Sequence, residues 1–316
     1  MRRPPLQTSP RARSSKLSDK LRALVCYPFS AKRRRAYREH LRGLPLPGVA
    51  RPALIDAALP KGPWRIGLKW DSSAPPRVSI IIPVHNQLEF TYRCLMSIAA
   101  HPSRASIEVI VCDDASYDET PAILSTVSGI RCIRNVTNQG FLHSCNRAAA
   151  EARGQYLLFL NNDTEVQEGW LDHMLALFDA DERTGLVGAK LLFPNGRLQE
   201  AGGAIWRDAT GYNYVREVDY CSGACILIET ALFRQLGGFD DHYAPAYYED
   251  TDLAFRVRQA GKKVLYQPLA VVVHHEGVSH GTDTGCGIKA YQVANKTKFR
   301  ERWRKQLEEF HFPNPE

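Results

Sequence analysis

Between Val78 and Leu160, short apolar runs alternate with segments whose apolar residues recur every three or four positions. The runs Val78 to Val84, Ile107 to Cys112, Ile130 to Arg134 and Tyr156 to Leu160 are short and rich in Val and Ile, so they predict strands. Glu89 to Ala100, Asp118 to Val127 and Leu142 to Ala152 carry the helical period and predict the connecting helices. That alternation implies βαβ units and an α/β fold with a mostly parallel central sheet flanked by helices. After Asp163 the rhythm is irregular, with Gly-rich hairpin-like pieces from Gly185 to Trp206 and an apolar run from Cys221 to Ile228. Two adjacent carboxylates, Glu249 and Asp250, open the next helical pattern, and a strand then leads to His274 and His275. The last periodic stretch, Lys289 to Phe310, puts Phe299, Trp303, Leu307 and Phe310 on one face, which is expected to pack back on the domain.

Charge divides the chain more sharply than its composition does. Residues 1–42 hold 13 Lys and Arg against two acids, a net +11, whereas the whole chain of 316 residues carries +7. The basic character therefore belongs to an N-terminal arm suited to an anionic surface. Leu17, Leu21, Leu24 and Val25 stand at helical spacing among its cations and favour a membrane surface. The arm lacks the interleaved aromatics of a single-strand binder, so no specific nucleic-acid partner is expected. No apolar run approaches the roughly 20 residues needed to cross a bilayer. The stretch Leu21 to Phe29 is too short and interrupted for a secretory signal. Eight cysteines show no metal-type pairing, and Cys112, Cys132 and Cys225 fall within apolar runs as small hydrophobes. A cytoplasmic protein is expected, peripheral on the inner face of the membrane if the arm engages lipid. Pro and Gly punctuate residues 43–76, an extended linker. The expected organisation is thus arm 1–42, linker 43–76, main domain 77–287, and C-terminal helix and tail 288–316.

In open parallel sheets ligands sit beyond the carboxyl ends of the strands, where this chain concentrates polar residues. The first strand runs into Pro83-Val84-His85-Asn86, the second into Asp113-Asp114-Ala115-Ser116, and the fourth into Asn161-Asn162-Asp163-Thr164. Any one cluster could cap a helix, but three on neighbouring strands point to a site. Crowded carboxylates such as Glu249 and Asp250 raise each other's proton affinity, as a general base requires, although acids at a helix start also serve the helix dipole. His275 and His280 are five apart around Gly277, which excludes the zincin helix. The turn after the first strand lacks Gly-x-Gly-x-x-Gly, and no Walker Gly-Lys-Ser/Thr loop occurs, which excludes dinucleotide and P-loop enzymes.

In this order and spacing these pieces resemble the inverting glycosyltransferases of family 2, which have the Rossmann-like GT-A fold of nucleotide-diphospho-sugar transferases. Asn138-Gln139-Gly140-Phe141, Gly223-Ala224, Gly237-Gly238-Phe239-Asp240, Glu249-Asp250-Thr251-Asp252-Leu253 and His274-x-x-Gly277-x-Ser279 complete the likeness. It is nearest to the bacterial branch that contains rhamnosyltransferases of cell-surface polysaccharide assembly. The resemblance implies a donor-nucleotide site made by Pro83, Asn86, Asp113, Asp114, Asn138, Gly140, Asn161 and Asn162, with Asp113 and Asp114 on the base and ribose. It implies Mn2+ or Mg2+ held by Asp163 with His274, or with His275 in its place, and Asp250 as base with Glu249 beside it. Gly223, Ala224 and Trp206 would face the acceptor, a glycan or lipid-linked glycan. The first-choice donor is dTDP-rhamnose, and the second a UDP-hexose or UDP-N-acetylhexosamine. A non-catalytic sugar-nucleotide or glycan-binding module is the alternative class. The chain departs from the family's Asp-x-Asp at Asn161, whose amide brings no charge to a metal.

Overall fold

The computed structural model describes residues 52–56, 59–60, 64, 66–68, 74–203, 214–275 and 288–310. The basic arm, Trp206, Gly277 and Ser279 lie outside them, as does the side chain of Phe310. Ala53–Phe193 and Leu198–Glu316 form one compact unit, the subject of all that follows. Its elements are β1 (Val78–Val84), α1 (Leu88–Ala100), β2 (Ile107–Asp113), α2 (Thr120–Leu124), β3 (Arg131–Arg134), α3 (Phe141–Glu151), β4 (Tyr156–Leu160), β5 (Thr164–Val166), α4 (Trp170–Ala180), β6 (Thr184–Leu192), β7 (Leu198–Glu200), β8 (Arg216–Glu217), β9 (Cys225–Glu229), α5 (Thr230–Gln235), α6 (Glu249–Gln259), β10 (Lys263–His274), α7 (Tyr291–Arg302) and α8 (Arg304–Phe310).

The strands form one sheet in the order β3-β2-β1-β4-β9-β6-β10-β5, with β7 on β6 and β8 on β10. Pairs β2·β3, β1·β2, β1·β4 and β6·β10 are parallel, whereas β9 runs against both β4 and β6. Alternate residues of each central strand feed opposite faces. Ile80, Ile82, Val109, Val111, Leu158 and Leu160 pack under α1 and α4. Ile81, Ile110, Cys112, Leu157 and Phe159 pack under α3 and α6. Burial on both faces is why these strands read as continuous apolar runs. Within the Pro/Gly-rich stretch, Trp64 and Ile66 are buried in the first of these layers, the Trp64 ring tilted against Tyr92 at 4.7 Å between centroids.

Some elements differ from the sequence expectation for identifiable reasons. The helix expected over 118–127 shrinks to α2, with side chains bonded to the backbone at both of its ends, a carboxylate at the first and hydroxyls at the second. Asp118 accepts from Thr120 N at 2.9 Å, and Ser125 and Thr126 donate back to Ala122 O and Ile123 O, each at 2.7 Å. Cys132, expected to be a buried hydrophobe, is exposed, since β3 is an edge strand. The C-terminal helix packs back as expected, burying Phe299 and Trp303, but breaks at Trp303 into α7 and α8. Among the described residues no helix is long and apolar enough to cross a membrane.

Candidate active site

After β1 the chain builds β2 and β3 on one side and returns to place β4 on the other, so the fold's switch point opens between the carboxyl ends of β1 and β4. A cavity of about 650 Å³ lies there, lined by Pro83 and Asn86 from the end of β1, Asn161, Asn162 and Asp163 from the end of β4, and Asp114, Asn138 and Gly140. Because β9 is reversed, its beginning reaches this same edge: Asn161 N donates to Ala224 O at 3.0 Å, and Gly223 and Ala224 line the cavity. β10 ends at His274 and α6 begins at Glu249, which adds His274, Glu249 and Asp250 to the walls. Apart from Asp113, the candidate donor, metal and base residues, drawn from segments as far apart as Pro83 and His274, thus meet in one chamber.

One expected member is absent. Asp113 does not line the cavity; it is fully buried, accepts from Ser116 N at 2.9 Å and pairs with Arg134. Register explains this, since Asp113 and Arg134 are direct partners on β2 and β3. Asp114 does line the cavity, and its carboxylate also organises the loop: it accepts from Asn135 Nδ2 and Gln139 N at 2.7 Å and from Gly140 N at 2.8 Å. Asn86, in the left-handed region at φ 58°, accepts on Oδ1 from Tyr117 N at 2.9 Å. Asn162 donates to Thr91 Oγ1 at 3.0 Å. Trp206 is beyond the described residues.

Across the chamber, Asp163 Oδ1 stands 3.3 Å from His274 Nε2. Burial works to raise the Asp163 carboxyl, but the His274 hydrogen bond and charge more than offset it and hold it below the usual range. His274 Nδ1 lies 3.1 Å from Gln199 Oε1. With Nδ1 donating to this oxygen, loss of the Nε2 proton would free a lone pair there for a cation, the outer-shell arrangement of metal-bound histidines. The buried Asn161 Oδ1 has no hydrogen-bond partner in the protein, and Asp163 Oδ1 faces His274 alone. His275 is instead committed to Glu165, 2.8 Å away, and packs against Phe90. Among the described residues no three His, Cys, Asp or Glu side chains converge as a cage. The set therefore fits a divalent cation whose coordination is completed by oxygens from a ligand, and Asp163 and His274 are the residues that would hold it.

The two neighbouring acids are held differently. Asp250 Oδ2 accepts from Gly223 N at 2.8 Å and Oδ1 from Thr251 N at 2.7 Å. Burial raises its pKa, and these amides restrain the rise. Glu249 is 6% exposed, its Oε2 is unpartnered, and burial followed by the charge of Asp250 pushes its carboxyl well up. Asp252 serves structure alone: fully buried, it receives Arg256 Nε at 2.6 Å and Trp303 Nε1 at 2.8 Å.

Sequence reasoning missed other walls. Glu200 accepts from Ser222 N at 2.7 Å, so the consecutive amides of Ser222 and Gly223 present two carboxylates to the cavity. Tyr247, Gln292 and Lys289 also line it, and among the lining residues Lys289 is the one Lys or Arg. None belongs to a spaced motif, and the reading of 289–310 rested on its apolar face alone.

The sequence profile of "Glycosyl transferase family 2" matches residues 79–237, half of the chain. The chain belongs to glycosyl transferase family 2. This family-2 chain is 29% identical over 243 residues to the O-antigen biosynthesis protein RfbC of Myxococcus xanthus, covering 70% of itself and 19% of that protein. It is 27% identical over 255 residues to an N-acetylglucosaminyl-diphospho-decaprenol L-rhamnosyltransferase of Mycobacterium tuberculosis, covering 68% of itself and 82% of the relative. Another curated relative, y4gI of Sinorhizobium fredii, is likewise covered over only 32% of its length. Among solved structures, GalNAc-T7 with UDP, GalNAc and Mn2+ superposes with a TM-score of 0.59 at 19% identity, over 74% of this chain and 50% of that one. That likeness shows the fold: the family-2 chain has the GT-A architecture, a mixed, mostly parallel sheet flanked by helices.

Proposed function

We propose that the protein transfers a sugar from a nucleoside-diphosphate donor to a hydroxyl of a growing cell-surface glycan, inverting the anomeric centre, with Asp250 as general base. The single observation that carries this reading is the chamber shared by Asp163 and His274 on one wall and Asp250 and Glu249 on another. A carboxylate base must be held still, partly desolvated and ionisable near neutral pH; the amides of Gly223 and Thr251 fix Asp250, and burial raises its proton affinity. Its carboxylate would take the proton of the acceptor hydroxyl as that oxygen attacks the anomeric carbon opposite the departing diphosphate. Burial and the charge of Asp250 favour the protonated form of Glu249, which would donate a hydrogen bond to a sugar hydroxyl. A divalent cation, when bound by Asp163 and His274, would neutralise charge on the diphosphate. Lys289 would add a fixed positive charge to the same cavity.

By likeness to the mycobacterial relative, whose name gives an L-rhamnosyl transfer to a diphospho-decaprenol acceptor, the first-choice donor is dTDP-rhamnose and the acceptor lipid-linked. The basic arm would then hold the enzyme near its substrate on an anionic membrane. A thermal-shift screen of dTDP-rhamnose, UDP-glucose and UDP-N-acetylglucosamine, each with and without Mn2+, tests the donor, because a ligand that binds the folded state stabilises it by mass action. Stabilisation by dTDP-rhamnose above the UDP sugars is expected. Preference for a UDP sugar would replace the donor, and no response to any nucleotide sugar would remove the reading.

A further inference from the structure

α7 lies outside the profile-matched residues 79–237, yet its inner face is bonded to the loop that delivers Glu249 and Asp250. Asn295 is fully buried there, and its Nδ2 donates to three carbonyl oxygens: Tyr243 at 2.7 Å, Ala246 at 2.9 Å and Tyr247 at 3.0 Å. An amide NH2 carries two hydrogens, so the three oxygens share them and are gathered around one point. The last of these carbonyls belongs to the first of two consecutive aromatic residues in the left-handed region, Tyr247 at φ 74° and Tyr248 at φ 72°. Such dihedrals are strained for bulky side chains and persist only where the surroundings impose them. Glu249 and Asp250 follow at once, so the direction in which α6 sets out depends on that pair of dihedrals. Lys298 Nζ on His242 O at 2.7 Å, the Phe299 ring 5.4 Å from Tyr248 and Trp303 Nε1 on Asp252 fasten the same helix to the same loop.

We propose that Asn295 is a positioning residue of the transfer reaction: by gathering the three carbonyls it imposes the Tyr247-Tyr248 turn and thereby sets the Asp250 carboxylate against Gly223. The proposal rests on the reading of Asp250 as base. Without the amide the turn relaxes toward ordinary right-handed dihedrals, and the start of α6 shifts with it. Displacement of a reacting group by about 1 Å costs on the order of 10²-fold in rate. An aspartate at 295 would aim a carboxylate at three carbonyl oxygens, so it should act more severely than alanine despite its matching shape.

The experiment compares Asn295→Ala, Asn295→Ser and Asn295→Asp with Leu175→Ala, which destabilises the fold from α4, in the other core layer and away from the cavity. Hydrogen exchange at amides 247–252 and thermal midpoints are read on the full-length chain. Nucleoside-diphosphate release from dTDP-rhamnose and the UDP sugars with Mn2+ is then resolved into kcat and donor KM. Asn295→Ala is expected to speed exchange at 247–252 and to lower kcat by about 10- to 100-fold at unchanged donor KM, with Asn295→Ser intermediate because its hydroxyl replaces one donor. Leu175→Ala at a comparable midpoint should keep kcat and leave exchange at 247–252 slow. If Asn295→Ala and Asn295→Ser track Leu175→Ala in both readouts, the amide is ordinary packing and the proposal is overturned. Should Asp250→Asn keep full turnover, the base assignment fails by itself; faster exchange in the Asn295 variants would still show that the amide holds the turn.

Discussion

At the scale of single residues, Asp250 and Glu249 share a helix start and a wall of the cavity but differ in what meets their oxygens. Asp250 is bonded to amides that favour its charged form, while Glu249 meets none in place of its lost hydration at Oε2. Asp250→Asn is therefore expected to leave donor-induced stabilisation intact and to cut turnover by about 10²-fold or more; parallel loss of both would reassign the residue. Glu249 predicts a pH effect. Its folded-state pKa is raised, so its contribution to stability is complete below the unfolded carboxyl value of roughly 4.3 and declines as pH rises toward the folded value. Glu249→Gln cannot ionise and should flatten that decline, so its melting temperature should gain on wild type as pH is raised from about 5 to 8. Asp163 has the opposite sign: its lowered pKa contributes stability at neutral pH that is lost as pH falls through the folded value. Asp163→Ala should abolish the Mn2+-dependent part of the donor's thermal shift, and a retained metal response would remove Asp163 from the coordination shell.

Among the elements, α6 and α7 are joined by a buried charge. Asp252 is fully buried against Arg256 and Trp303 Nε1, so Asp252→Ala would leave Arg256 without its carboxylate and cost about 3–5 kcal/mol in urea denaturation. A loss under about 1 kcal/mol would show the pair to be solvated. Elements also show what could be read in advance. β1 and β4 were legible to the residue because both faces are apolar, and the polar residues at their ends were legible as candidates that the fold brings into one cavity. β6 and β10 were not, because their sequences carry breakers that the fold absorbs. In β10, Pro268 sits where the register with β6 shifts between Gln267 and Val271, and Leu269 is turned out to 59% exposure. In β6, a side chain at Gly188 would meet Cys221 Sγ at 2.3 Å. The pairing of Asp113 with Arg134 could not be read in advance, because Arg134 becomes a neighbour only through strand register. Glu200 and Lys289 could not be found without the fold, since nothing in their local sequence distinguishes them from surface charges.

For the molecule as a whole, the arm and the folded body are expected to do separable work. Deleting residues 1–42 removes a net +11 and should abolish cosedimentation with vesicles containing anionic lipid while sparing turnover of a water-soluble acceptor; unchanged sedimentation would move membrane contact elsewhere. Within the body, the cavity loops after β1 and β4 follow parallel strands, whereas Gly223 and Ala224 precede a strand that enters the sheet backwards. Segments grafted upstream of such a strand can change in length and sequence without altering the pairing of any parallel neighbour. Enzymes built this way can diversify what they glycosylate while keeping what they spend, and exchanging the residues between β7 and β9 with those of a relative should transplant acceptor preference onto an unchanged nucleotide pocket.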